Sequence, residues 1–102
     1  SVLGLMDTAL PENEQGLIRD VIAKYQKKGV NFHALRTRQA AARRFISVHV
    51  LVPGDTTVHD AHHIVEDFEN DIRAVMGGAV TVFTHLEPAE DELSMEDLYL
   101  DR

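Results

Sequence analysis

Six histidines and no cysteine bound the chemistry open to this chain of 102 residues. The missing Cys excludes disulfides, thiolate nucleophiles, Cys-type zinc fingers and iron–sulfur clusters. Metal ligation is left to imidazole and carboxylate, a donor set that suits zinc or a similar borderline divalent ion and disfavours copper(I). His85 and Glu87 stand two residues apart, so on a strand they share a face. His59/His63 and His62/Glu66 are each four apart, and that spacing on a helix can chelate one ion. Other chemistry is thin. Ser47, Ser94 and the threonines have no glycine-elbow context, and Gly77-Gly78 lacks the spacing and the Lys of a phosphate loop. A His-Glu-x-x-His motif is absent, and an enzyme is not expected.

The elements that must position these residues are legible from hydrophobic period. Pro11 suits a first helical position, Glu12 and Glu14 suit the positive end of a helix, and Leu17, Ile18, Val21, Ile22 and Tyr25 recur on one face. Lys24, Lys27 and Lys28 precede Gly29, so a helix is expected over 11–28. The stretch 30–39 alternates poorly. The stretch 45–52 is a better strand, with Ile46, Val48, Val50 and Val52 on one face and Phe45, Ser47, His49 and Leu51 on the other. After the Pro53-Gly54-Asp55 turn, Thr56 or Thr57 can cap a second helix. Its apolar stripe is Val58, Ala61, Val65, Phe68, Ile72 and Val75. Gly77-Gly78 ends it, and a strand over 79–87 places Val80, Val82, Thr84 and Leu86 opposite Thr81, Phe83, His85 and Glu87.

The expected fold class is therefore α+β, with element order αββαβ. A hairpin joins the first two strands, and a right-handed crossover through the second helix leads to the third. This is a ferredoxin-like split unit without its usual first strand: a three-stranded sheet with two helices on one face. The other face is left to meet a partner or ligand.

Charge adds less. The chain carries 17 acids against 10 bases, a net of −7, which disfavours nucleic acid and polybasic membrane contact. Residues 88–102 hold six of the acids and one base, so most of the excess is a C-terminal tail that begins at Pro88. Arg36, Arg38, Arg43 and Arg44 form a basic cluster that is either a solvated hairpin rim or a receiver for an acidic tail or partner. The longest apolar run, 45–52, is eight residues and contains Ser47 and His49, well short of the roughly 18 of a membrane helix.

On this scaffold the histidines gather. His49 and His85 lie on strand faces away from the valines, with Glu87 beside His85 and His33 on the neighbouring hairpin strand. Singly, each is an ordinary surface or half-buried residue; together they converge on one region of the sheet. His59, His62, His63 and Glu66 occupy one arc of the second helix, and any polar helix face can contain as much. His62 lies nearest the apolar stripe and is best placed to reach a site at the domain edge.

The run Phe32-His33-Ala34-Leu35-Arg36-Thr37-Arg38-Gln39, followed by Phe45-Ile46-Ser47-Val48-His49, Ala61-His62 and His85-Leu86-Glu87-Pro88, resembles the C-terminal cytoplasmic domain of cation diffusion facilitator transporters. The opening Leu5-Met6-Asp7-Thr8-Ala9-Leu10-Pro11 is similar to the junction leaving their last membrane helix. The resemblance covers residues 3–88. It implies a metallochaperone-like fold, a homodimer, and binding of zinc or a related divalent cation near the dimer interface, with metal closing the dimer to regulate transport. It also implies covalent continuity with a transmembrane domain, and a cytoplasmic location on a bacterial inner-membrane transporter. Carried over by position, the implied metal ligands are His33, His49, His62, His85 and Glu87. Glu87 stands where the family often has Asp and is one methylene longer. On this reading 1–10 is a linker, 11–88 the metal-binding regulatory dimerisation domain, and 89–102 an acidic tail. Zinc, cobalt, cadmium, manganese and iron(II) all fit the donors, and affinity is expected to fall steeply below about pH 6.5, where imidazole protonates. The alternatives are a stand-alone ferredoxin-like metal carrier or small-molecule sensor, and a purely structural dimerisation domain with incidental histidines.

Overall fold

Pro11 and the acids that follow it start the first helix. In the computed structural model, which describes residues 9–91, α1 spans Glu12–Gln26, with Pro11 at the N-cap position and Glu12 and Glu14 in the first turn. Its end is set by Gly29, whose φ of 91° few other residues adopt, and the Val30 N–H returns to the Tyr25 carbonyl at 3.1 Å. The remaining elements are β1 (Asn31–Ala40), β2 (Arg43–Val52), α2 (Val58–Met76) and β3 (Val80–Pro88). This is the expected αββαβ order, with the first helix drawn in by one residue at its start and two at its end, β2 beginning two residues earlier, and β1 and β3 each shifted by one.

The sheet runs β1-β2-β3, with β1 antiparallel to β2 through a hairpin and β2 parallel to β3 through the α2 crossover. Ile46, Val48 and Val50 of β2 are at most 1% exposed and pack with Phe68 and Ile72 of α2 and Ile18 of α1. Phe68 centres this core, edge-on to Tyr25 at 5.5 Å and tilted over Phe32 at 4.9 Å between ring centres. The two helices are clipped where Asp71 accepts hydrogen bonds from Tyr25 Oη at 2.7 Å and Lys24 Nζ at 2.8 Å.

Thr57 is the α2 cap, its hydroxyl accepting the Asp60 N–H at 3.1 Å. The expected apolar stripe is corrected at its ends. Val58 is 87% exposed because it opens the helix before the sheet begins to cover it, and Met76 rather than Val75 closes the buried face. Arg44 ties this end down: it pairs with Glu14 at 3.0 Å and donates to the Met76 carbonyl at 3.1 Å and to that of Gly77. Arg43 donates to Thr81 Oγ1 at 2.7 Å and Arg38 lies 4.5 Å from the Phe45 ring centre. The basic cluster is thus divided among separate contacts.

The weak alternation of β1 has a local cause. Its register against β2 shifts between His33 and Arg36, so Ala34 and Leu35 together oppose Val48, and Ala34 takes a φ of 56°. The bulge inverts the parity of the strand: Phe32 and Thr37 oppose the core residues Val50 and Ile46, whereas His33, Arg36 and Arg38 oppose His49, Ser47 and Phe45 on the helix-free face. Leu86 was expected among the core residues and is 43% exposed; it lies on an edge strand, near the end of the sheet. Beyond β3, the Glu90 carboxylate accepts the Gly54 N–H at 3.0 and 3.1 Å, holding the chain against the β2–α2 turn. Most of the expected linker and tail lies outside the described residues.

Candidate metal centre

The hairpin register sets His33 directly opposite His49, and the parallel register sets His49 directly opposite His85. One imidazole from each strand therefore stands in a row across the helix-free face, with ring centres 5.7 Å apart from His33 to His49 and 5.0 Å from His49 to His85. Asn31, Leu51 and Glu87 form the next row. Glu87 leans diagonally across the strand gap, its Oε2 lying 3.1 Å from His49 Nδ1 rather than against its own-strand neighbour His85. It is 8% exposed, the one buried charged residue among the described residues. A buried carboxylate is costly unless a donor or cation meets it, and here the donor is an imidazole. On the other side of the row, Arg36, Ser47 and Phe83 line up, and a depression of about 310 Å³ opens between Ala34, Arg36, His49, Phe83 and His85.

Four of the five expected ligands are thus brought to one region. His62 is not among them. It lies on the exposed side of α2, its Nε2 3.4 Å from Glu66 Oε2 and its ring centre 5.6 Å from that of His63. Among the described residues no three His, Asp or Glu side chains stand close enough to hold one ion in this conformation. The row explains why: ligation by two imidazoles needs both nitrogens about 2.0–2.1 Å from the ion, tighter than strand spacing leaves unrotated rings. His33 and His85 are exposed, so turning their rings inward disturbs little packing. The donors themselves, imidazoles beside a carboxylate, fit zinc and its neighbours in the divalent series. A feature that spacing alone did not single out is Phe83, 56% exposed beside the row. Its alternation with His85 on β3 was the available signal.

The chain matches the family described as cation efflux protein, cytoplasmic domain, over residues 10–89. It belongs to that family. Members are transporters rather than enzymes, and the family places this cation efflux domain on the cytoplasmic side. It is 43% identical over 97 residues to the uncharacterized transporter sll1263 of Synechocystis sp., covering 94% of the chain and 31% of that protein. It is 35% identical over 89 residues to the cation-efflux pump FieF of Pectobacterium atrosepticum, covering 86% of the chain and 29% of the pump. The chain thus spans about three tenths of the curated relatives it matches. Among solved structures, the Zn form of CzrB is similar at a TM-score of 0.63 and 32% identity, covering 81% of the chain and 93% of that one. The fold class is that of cytosolic cation efflux domains, and among the described residues no helix is long and apolar enough to cross a membrane.

Proposed function

We propose that residues 11–88 form a metal-sensing dimerisation domain that regulates transport by the membrane part of a zinc-type efflux protein. The observation that carries this reading is the row His33–His49–His85 with Glu87 held against it, on the sheet face that both helices leave uncovered. The similarity to CzrB in its Zn form supports zinc, with cobalt, cadmium, manganese and iron(II) as competitors for a mixed imidazole–carboxylate site and manganese the weakest of the first-row ions. A homodimer through the same face is supported by Phe83, which is 56% exposed beside the ligands. His62 stands on the helix side and joins the ligand set only when a second copy or a movement of α2 brings it to the row. Metal closes the dimer because ligands spread over two copies are better satisfied when those copies approach, and the ion's differential affinity sets how far the equilibrium moves.

The test is calorimetric zinc titration of the chain with light scattering at each addition. His49→Ala with His85→Ala should weaken zinc binding greatly and abolish the zinc-induced change in scattering. Unchanged stoichiometry and affinity in that double variant would sink the ligand assignment. The absence of any zinc response in the unaltered chain would favour a purely structural domain.

A further inference from the structure

The row leaves half of the histidines unused, and those three lie together on α2. His59 and His63 are one turn apart, with ring centres 4.5 Å from each other and planes crossed at 74°. At about 100° per residue, both lie within roughly 30° of the direction opposite the buried line Ala61, Phe68, Ile72 and Met76. Both are exposed, so neither imidazole is occupied by packing. His62 and Glu66 lie about 40–100° round toward one flank and meet each other, with Nε2 to Oε2 at 3.4 Å. No Lys or Arg occurs in α2 before Arg73, whereas Asp60, Glu66, Asp67 and Glu69 all do. The positive end of the helix dipole opposes a cation here, and this acidic surround offsets it.

We infer that His59 and His63 form a second metal site, a helix-borne two-imidazole chelate for a borderline divalent cation, separate from the sheet row. Side chains four apart on a helix meet on one face, so the second nitrogen is presented to an ion already held by the first. Water fills the remaining positions, so affinity follows the general divalent order, with copper(II) above nickel(II) and zinc. The ion also staples the first two turns of α2, the segment that starts at the Thr57 cap.

The site is tested in a tag-free chain carrying His33→Ala, His49→Ala and His85→Ala, which removes the row, titrated with copper(II) and nickel(II). One ion per chain should bind, with the copper resonance showing two coordinated imidazole nitrogens and amide exchange slowing over residues 58–64. Adding His59→Ala or His63→Ala should weaken binding by about a hundredfold, the usual advantage of a second tethered ligand. His62→Ala should leave affinity and spectrum unchanged. In the otherwise unaltered chain, His59→Ala with His63→Ala should lower the nickel stoichiometry by one, which serves as well if the row-less variant folds poorly. The inference is overturned if the row-less chain binds no ion while folded, if binding survives loss of both residues, or if His62→Ala abolishes it. None of these outcomes bears on the row itself.

Discussion

Asp71 joins the two helices by charge. The hydrogen bond from Lys24, then that from Tyr25, hold its carboxyl below the ordinary 3.8. Burial, then the Asp71 contact, push the Tyr25 hydroxyl above its ordinary 10.0. A carboxyl lowered by folding contributes stability that is present above its ordinary value and lost as pH falls through the lowered one. A raised tyrosine contributes below pH 10.0 and loses that contribution as pH rises through its folded value. Denaturant unfolding followed from pH 2 to 6 should therefore show Asp71→Asn with a flatter acid limb than the unaltered chain. Glu87 is a second carboxylate with a consequence for pairing, at the row itself. Glu87→Gln keeps the shape but removes the charge facing His49 Nδ1, and zinc affinity by calorimetry should fall about 10–100-fold, as for other partners that orient a metal-binding imidazole. Both carboxylates illustrate what sequence reveals at this scale. Glu87 could be placed beside His85 by alternation, but its lean toward His49 depends on strand pairing. Asp71 and Tyr25 are 46 residues apart, and nothing local links them.

At the scale of elements, the second helix and the second and third strands were legible because each keeps one period throughout. The first strand was poorly legible because the bulge at Ala34–Leu35 breaks its period in the middle, with residues on either side obeying opposite parities. Periodicity also fixes a helix face without showing where the covering sheet stops, so Val58 was placed in the core and lies in water. The hairpin between β1 and β2 carries a local cost. Ala41 sits in its turn with a φ of 55°, where a Cβ is disfavoured by about 1–2 kcal/mol. Ala41→Gly removes that clash and gives back some of the gain through greater freedom of the unfolded chain. A net stabilisation of about 0.5–1 kcal/mol is expected by denaturant melts, with the zinc response unaltered.

For the whole molecule, the consequential division is between a sheet face sealed by two helices and one left open. Sequence patterning showed that such a face exists, since apolar and polar positions alternate along β2 and β3. It also grouped His33, His49 and His85 on one region of the sheet, but it could not show that His33 reaches the open face only through the bulge, or that His62 stays on the far side of α2. If the open face pairs two copies as proposed, Phe83 is the apolar contact nearest the ligands. Phe83→Glu should then shift the chain to monomer by sedimentation, while circular dichroism and melting temperature stay unchanged for a side chain already 56% exposed. Zinc should bind this variant more weakly, to the extent that its ligands come from two copies.

The alignment of His33, His49 and His85 is measured out by two independent rulers. A short turn sets the first interval, between β1 and β2, and any slip there must break hairpin hydrogen bonds. The second interval is set by the crossover, in which the 19 residues of α2 and the glycine pair after it decide where β3 begins. One residue gained or lost between Met76 and Val80 would leave the hairpin and its two histidines in place. It would turn His85 and Glu87 toward the core and bring Thr84 and Leu86 outward. The three-imidazole line is thus as sensitive to spacing outside the sheet as to the ligands themselves, and a length change in that connection would erase the centre while every histidine was still present.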